Sequence, residues 1–259
     1  MKSIAVTILL GLPLVASAAG PFDGTWKTDV STASIKGKPD AYLLQDGTYT
    51  CSTCIPEVKV PADGKPHKVT GHSYYDELTV SVTSPQAVKI NATLKGKKTI
   101  ERKLSVDAGG KEMVDEFTDY TGDKPASAKF ASKRVAAGPS GAHAISGSWE
   151  PDVKATTMSA DLVTVTYREM ADGLKMSTPT GQSYEAKFDG KEYLTAGDPG
   201  KTMVSLKKLA ANRIEETDRR QGKVTDVVIS EVGADGKLHV TDEDKQNGRT
   251  ISYTAEKQQ

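Results

Sequence analysis

The sequence predicts an all-β protein of two tandem antiparallel up-and-down β-barrels related by internal duplication, and three observations predict it. First, Phe22-Asp23-Gly24-Thr25-Trp26-Lys27 is written again as Ile145-Ser146-Gly147-Ser148-Trp149-Glu150, and these stretches hold the only two Trp residues of the chain. Second, the turns after each Trp recur at one spacing. Asp46-Gly47 answers Asp172-Gly173, Asp63-Gly64 answers Asp189-Gly190, and Gly110-Lys111 answers Gly236-Lys237, each pair 126 positions apart (172 − 46, 236 − 110). A constant offset across that many turns means one module copied whole. Third, the residues between turns alternate: Leu78, Val80 and Val82 with Thr79, Ser81 and Thr83, then Val88, Ile90, Ala92 and Leu94 with Lys89, Asn91, Thr93 and Lys95. Period two with polar partners is a strand with one wet face.

In chain order, Lys2, an apolar run from Ile4 to Val15 and Ala16-Ser17-Ala18 have the layout of a secretory signal peptide, residues 1–18, cleaved after Ala18. The run is shorter than the ~20 residues of a membrane span and Pro13 interrupts it. The mature chain is expected to be periplasmic or secreted, with no transmembrane segment. Residues 22–137 form the first repeat, with eight to ten short strands expected, as in the second. The small, Gly- and Pro-containing residues 138–144 read as a linker, and 145–257 form the second repeat. Formal charge is zero (34 basic, 34 acidic), and −1 once Lys2 leaves with the leader (33 against 34), so no basic field exists to hold a nucleic acid.

A Gly-x-Trp on the first strand, an up-and-down meander and a closing strand such as Arg249-Thr250-Ile251-Ser252-Tyr253 together resemble the calycin group, the lipocalins and fatty-acid-binding proteins. The whole chain also resembles exported two-repeat proteins of bacteria. The calycin resemblance implies that Trp26 and Trp149 pack across the closed ends of their barrels, and that a barrel interior holds a small apolar or amphipathic ligand. One departure limits it. Fatty-acid-binding proteins hold the ligand carboxylate with an Arg-x-Tyr on the last strand, whereas Arg249 and Tyr253 are four apart and the first repeat has neither, so fatty-acid binding does not carry over.

Cys51 and Cys54, followed by His67 and His72, have the spacing of a two-Cys, two-His zinc site. Pro56, Pro61 and Pro66 exclude the helix that such a finger needs. A local disulfide is the expectation in an oxidising compartment; a metal site using His67 and His72, or a redox pair, remain as alternatives. At the constant offset these four residues meet Ser177, Thr180, Tyr193 and Asp198, so the fold itself does not require them.

The run His72-Ser73-Tyr74-Tyr75-Asp76-Glu77 is the densest polar-aromatic stretch, and His72, Tyr74 and Tyr75 are the candidate ligand contacts at a barrel mouth. The second repeat carries Glu216, Asp218, Arg220 and Asp226 where the first has Ile90, Ala92, Leu94 and Ile100. Solvation of these charges is expected, because unpaired buried carboxylates are costly, but the hairpin register at Gln221-Gly222 leaves their face open. No catalytic constellation or cofactor motif occurs; Ser140 and His143 lie in the expected linker. Two functions follow: a monomeric carrier of a small ligand, or an interaction or inhibitor module whose filled barrels present loops.

Overall fold

The computed structural model describes residues 20–259, and the expected signal peptide lies outside the described residues. The chain runs through β1 (Gly24–Lys36), β2 (Asp40–Gln45), β3 (Thr48–Cys51), β4 (Val58–Pro61), β5 (Asp63–Lys68), β6 (Glu77–Ser84), β7 (Ala87–Leu94), β8 (Lys97–Val106), β9 (Glu112–Asp119) and β10 (Ala126–Ala137). It continues through β11 (Gly147–Pro151), β12 (Thr157–Met158), β13 (Thr164–Glu169), β14 (Gly173–Ser177), β15 (Ser183–Lys187) and β16 (Tyr193–Leu194). The last strands are β17 (Met203–Ala210), β18 (Arg213–Arg220), β19 (Lys223–Val232), β20 (Leu238–Asp244) and β21 (Arg249–Lys257). All pair antiparallel in two nearly closed, barrel-like sheets of about ten strands each, the all-β architecture that alternation predicts. None of the described residues forms an α-helix.

Turn chemistry sets the hairpins. Gln221 and Gly222 both have positive φ, the two-residue turn whose twist matches its strands, so Arg220 pairs with Lys223. That register puts Glu216 and Asp218 on the face of Ile214, which is fully buried in the second core. The expectation that these carboxylates are solvated is thereby corrected: they point into the second barrel. A similar detail corrects the repeat alignment. In the first repeat the turn is Asp46-Gly47 between Gln45 and Thr48, while in the second Met170 N–H donates to the Gly173 carbonyl and Glu169 pairs with Leu174. The turn has slipped by one residue, so Cys51, opposite Tyr42, matches Met176, opposite Tyr167, rather than Ser177.

The barrels do not coincide with the repeats. β1, from the first repeat, lies between β13 and β21 of the second; β11, from the second repeat, lies between β10 and β2 of the first. The first barrel is therefore the continuous segment 40–151, and the second combines 24–36 with 164–257. The expected boundaries 22–137 and 145–257 are corrected accordingly. The Gly-x-Trp shared by the two Trp strands permits the exchange. Gly24 faces Tyr167 and Gly147 faces Tyr42, so either strand fits either slot. β10 can then pair with β11 across a short turn instead of closing a loop of a hundred residues back to β1, and local closure is entropically cheaper.

Each barrel is consequently plugged by the other repeat's Trp. Trp26 belongs to the core cluster that includes Leu174, Leu206 and Ile214, and Trp149 to the one that includes Val80, Val88 and Leu104. Each indole N–H donates to the carbonyl four residues earlier, Phe22 at 2.8 Å and Ile145 at 2.9 Å, so neither buried donor is left unpaired. Arg134 lies 4.0 Å over the Trp149 ring and Lys257 5.6 Å over Trp26, capping both with a cation.

Residues 138–144 are not a free linker. They form the β10–β11 connection and are docked on the first barrel: His143 N–H donates to the Leu44 carbonyl at 2.9 Å, and its ring Nε2 lies 2.8 Å from the Ser84 carbonyl oxygen. Arg134 donates to the Ala144 and Ser146 carbonyls of the same connection and to the Gly110 carbonyl in the β8–β9 turn, tying the two together. These bonds leave His143 engaged with backbone and unavailable as a base for Ser140.

Candidate functional site: a cavity in the first barrel

Alternation along β7 turns Val88, Ile90 and Ala92 inward and Lys89, Asn91 and Thr93 outward, and the neighbouring strands do the same. The inward faces do not meet. They leave a cavity of about 580 Å³, partly open to solvent and inside the range of about 300–1,000 Å³ that small-molecule sites occupy. Its walls include Tyr49, Val58, Leu78, Ile90, Met113 and Phe117 of the first barrel. The second barrel closes the far side through Val30 and Ile35 of β1 and Ile251 and Tyr253 of β21, together with Met158 and Leu162 from the segment that joins β11 to β13. The exchanged strand is thus part of the cavity wall.

Two ion pairs interrupt this lining, Arg249 with Asp40 at its edge and Arg102 with Asp115 in the barrel. Arg102 of β8 donates from Nε to Asp115 Oδ2 at 2.8 Å and from Nη2 to the Tyr42 hydroxyl at 3.3 Å, while Nη2 lies 2.6 Å from the same carboxylate oxygen as an ion pair. Asp115 is 5% exposed, and its Oδ1 is buried without a hydrogen-bond partner. Burial alone pulls the guanidinium's pKa down, but Asp115, with Tyr42 and Tyr49, outweighs it and holds Arg102 well above its ordinary value. Burial pushes the Tyr42 hydroxyl up, against the pull of Arg102. The pair is stable only as a pair, because removing one partner strands a buried charge.

The second barrel inverts this pattern. By strand register Val228 and Val240 stand where the first barrel has Arg102 and Asp115, whereas Glu216, Asp218, Asp226 and Asp242 replace Ile90, Ala92, Ile100 and Phe117. Tyr184 O–H donates to Glu216 Oε2 at 2.6 Å, and Arg220 lies 3.6 Å from Asp226. Burial and mutual repulsion raise the carboxyls: Asp218 to about 8, by burial and then Glu216 and Asp226, and Asp242 to about 6, by burial and then Asp226 and Asp244. The two interiors touch at Tyr253, which lines the first barrel's cavity, packs on the second core and is itself raised to about 12 by burial, Asp242 and Glu216.

The residues singled out by sequence take different places. Tyr75 lines the cavity, and His72 stacks on it with ring centroids 4.4 Å apart without lining the cavity itself. Burial lowers the His72 pKa. Tyr74 faces the other way: its ring approaches Gly200, Arg220 sits 5.4 Å over it, and burial raises its hydroxyl to about 12. It bridges the barrels. Tyr75→Ala is expected to change probe binding in the cavity with a loss of about 1 kcal/mol of stability, while Tyr74→Ala is expected to cost about 2 kcal/mol and leave binding intact. Melting curves beside a probe titration separate the two, and the same effect from both substitutions would contradict these placements.

Cys51 and Cys54 form a disulfide, and Cys54 lines the cavity rim. With both sulfurs bonded, His67 held by Asp63 at 2.8 Å and His72 on Tyr75, the alternative set Cys51, Cys54, His67 and His72 is not assembled as a metal site. Arg249 also departs from a ligand-carboxylate role, since it pairs with Asp40 at 2.7 Å and donates to the Lys38 carbonyl. It pins the crossover from β1 to β2. Arg102 and Asp115 went unnoticed in the sequence, although a signal exists: each breaks an apolar parity line, Arg102 among Ile100, Leu104 and Val106, and Asp115 between Met113 and Phe117.

No protein-family model, curated protein or solved structure matches the chain, so its site stands on its own geometry.

Proposed function

We propose that the protein is an exported, monomeric carrier or sensor that holds a small apolar or amphipathic ligand in its first barrel. The observation that carries this is the 580 Å³ cavity, mostly apolar and with its charged lining residues paired as Arg102 with Asp115 and Arg249 with Asp40. A domain fills its core to crystal-like density, and a void of that size retained among Ile, Leu, Phe and Met side chains forgoes a large amount of dispersion energy. A ligand would restore it. The second barrel, with acids at the equivalent positions, offers no comparable apolar lining and serves as scaffold and lid. Export rests on the leader-like residues 1–18 and accords with the Cys51–Cys54 bond.

Native mass spectrometry of protein purified from its own host is expected to show a bound small molecule that is lost on denaturation, on a chain beginning at or near Ala19. Ala92→Phe, which puts a ring into the cavity wall, is expected to weaken binding at least tenfold at a stability cost of about 1–3 kcal/mol. An empty chain whose neutral apolar probes bind equally well before and after that substitution would favour the interaction module instead.

A further inference from the structure

Four charged residues line the cavity, and they cancel in pairs: Arg249 with Asp40 and Arg102 with Asp115. No cation is left over to hold an anion. Both close contacts of Arg102 go to the same carboxylate oxygen, Oδ2, which leaves Asp115 Oδ1 a buried acceptor that lacks a donor. Tyr42 accepts from Arg102, and its own O–H is given to no acceptor among the described residues. The polar end of the cavity therefore asks for a group that donates one hydrogen bond and accepts another.

We propose that the cavity selects an apolar chain bearing an uncharged hydrogen-bond-donating head, an alcohol or a primary amide, over a free carboxylate. This rests on the carrier function above and deepens it by naming the ligand class. Oδ1 is sealed from water, so a hydroxyl reaches it only as the wall yields by a few tenths of an ångström; it then donates its proton to Asp115 Oδ1 and accepts from Tyr42, which satisfies two buried groups at once and disturbs no ion pair. A carboxylate brings acceptors only. It would lie beside Asp115 with like charge, and to reach Arg102 it would have to displace Asp115 and strand that charge in the core. Hydrophobic contact with the chain is common to both, so the difference between them reads the head group alone.

The test uses the whole mature protein at pH 8 and displacement of the neutral fluorescent probe N-phenyl-1-naphthylamine by 1-decanol, by its methyl ether and by decanoate. 1-Decanol is expected to displace the probe at a concentration at least tenfold below that of decanoate, and about tenfold below that of the ether, in which a methyl group replaces the donated proton. Asp115→Asn, which retains an acceptor for Arg102 but frees its charge, is expected to reverse the order in favour of decanoate. The ranking on the unsubstituted protein stands even where that variant fails to fold. Decanoate displacing as well as decanol, or the ether matching decanol, would overturn the head-group assignment while leaving a carrier in place. Failure of the probe and all three compounds to bind would sink the carrier function itself, and the assignment with it.

Discussion

Fragments cut at the barrel boundaries are expected to fold where fragments cut at the repeat boundaries do not. Residues 38–159 contain every strand of the first barrel, including β11 with Trp149, and are expected to give a cooperative transition with a buried Trp. Residues 145–257 lack β1, so the second barrel loses Phe22 and Trp26 from its core and has β13 and β21 unpaired where β1 lay between them. Loss of a buried Trp alone costs about 3–5 kcal/mol, a large fraction of the 5–15 kcal/mol that stabilises a typical domain. That fragment is expected to be unfolded or aggregated, and a peptide of residues 20–37 added in trans is expected to restore strand-type circular dichroism. Cooperative folding of 22–137 and 145–257 as separate pieces would show that the Trp strands are not exchanged.

Asp218→Asn is expected to leave stability at pH 4 unchanged and to raise it at pH 8 by about 2–3 kcal/mol, the pKa displacement being discounted for the side chain's partial exposure. Asp218 titrates from an ordinary 3.8 in the unfolded chain to about 8 in the folded one, through burial first and then the neighbouring Glu216 and Asp226. Because the folded value is the higher one, the folded chain keeps a proton that the unfolded chain releases. The stability linked to this proton is complete below about pH 4 and is lost progressively as pH rises to about 8; for Asp242 the loss runs only to about 6. Glu216 and Asp226, also raised by burial, act in the same direction. Urea midpoints of both proteins at pH 4, 6 and 8 measure the slope. A variant whose midpoint falls between pH 4 and 8 as steeply as that of the unsubstituted chain would mean that Asp218 holds no such proton.

Much of this architecture is legible without coordinates because turns and alternation are local. Asp46-Gly47 and Gln221-Gly222 need positive φ at consecutive residues, and the strands between turns need one apolar face, so position alone marks them. The disulfide is legible for the same reason, its partners being three residues apart. Registers are less so. Whether Gly173 belongs to its turn, as Gly47 does, or to the following strand depends on a one-residue choice that pairing across the sheet makes, and that choice decides whether Met176 or Ser177 matches Cys51.

The sequence by itself determined that the chain is β, duplicated, and furnished with a Trp strand at the head of each copy. It could not determine which barrel each Trp strand completes, because both strands carry the same Gly-x-Trp set opposite a Tyr, and the cost of connecting them, not that motif, distinguishes the pairings. Tertiary structure decided that, and with it the cavity. Val30 and Ile35 belong to the first repeat in sequence and to the second barrel in space, and they meet Arg102, Asp115 and Tyr42 only because the strand that carries them crosses over. Separately, the register of the Gln221-Gly222 hairpin turned Glu216 and Asp218 inward. A period of two tells which residues share a face, but not whether that face looks into a core, a void or water, since that depends on strands distant in sequence.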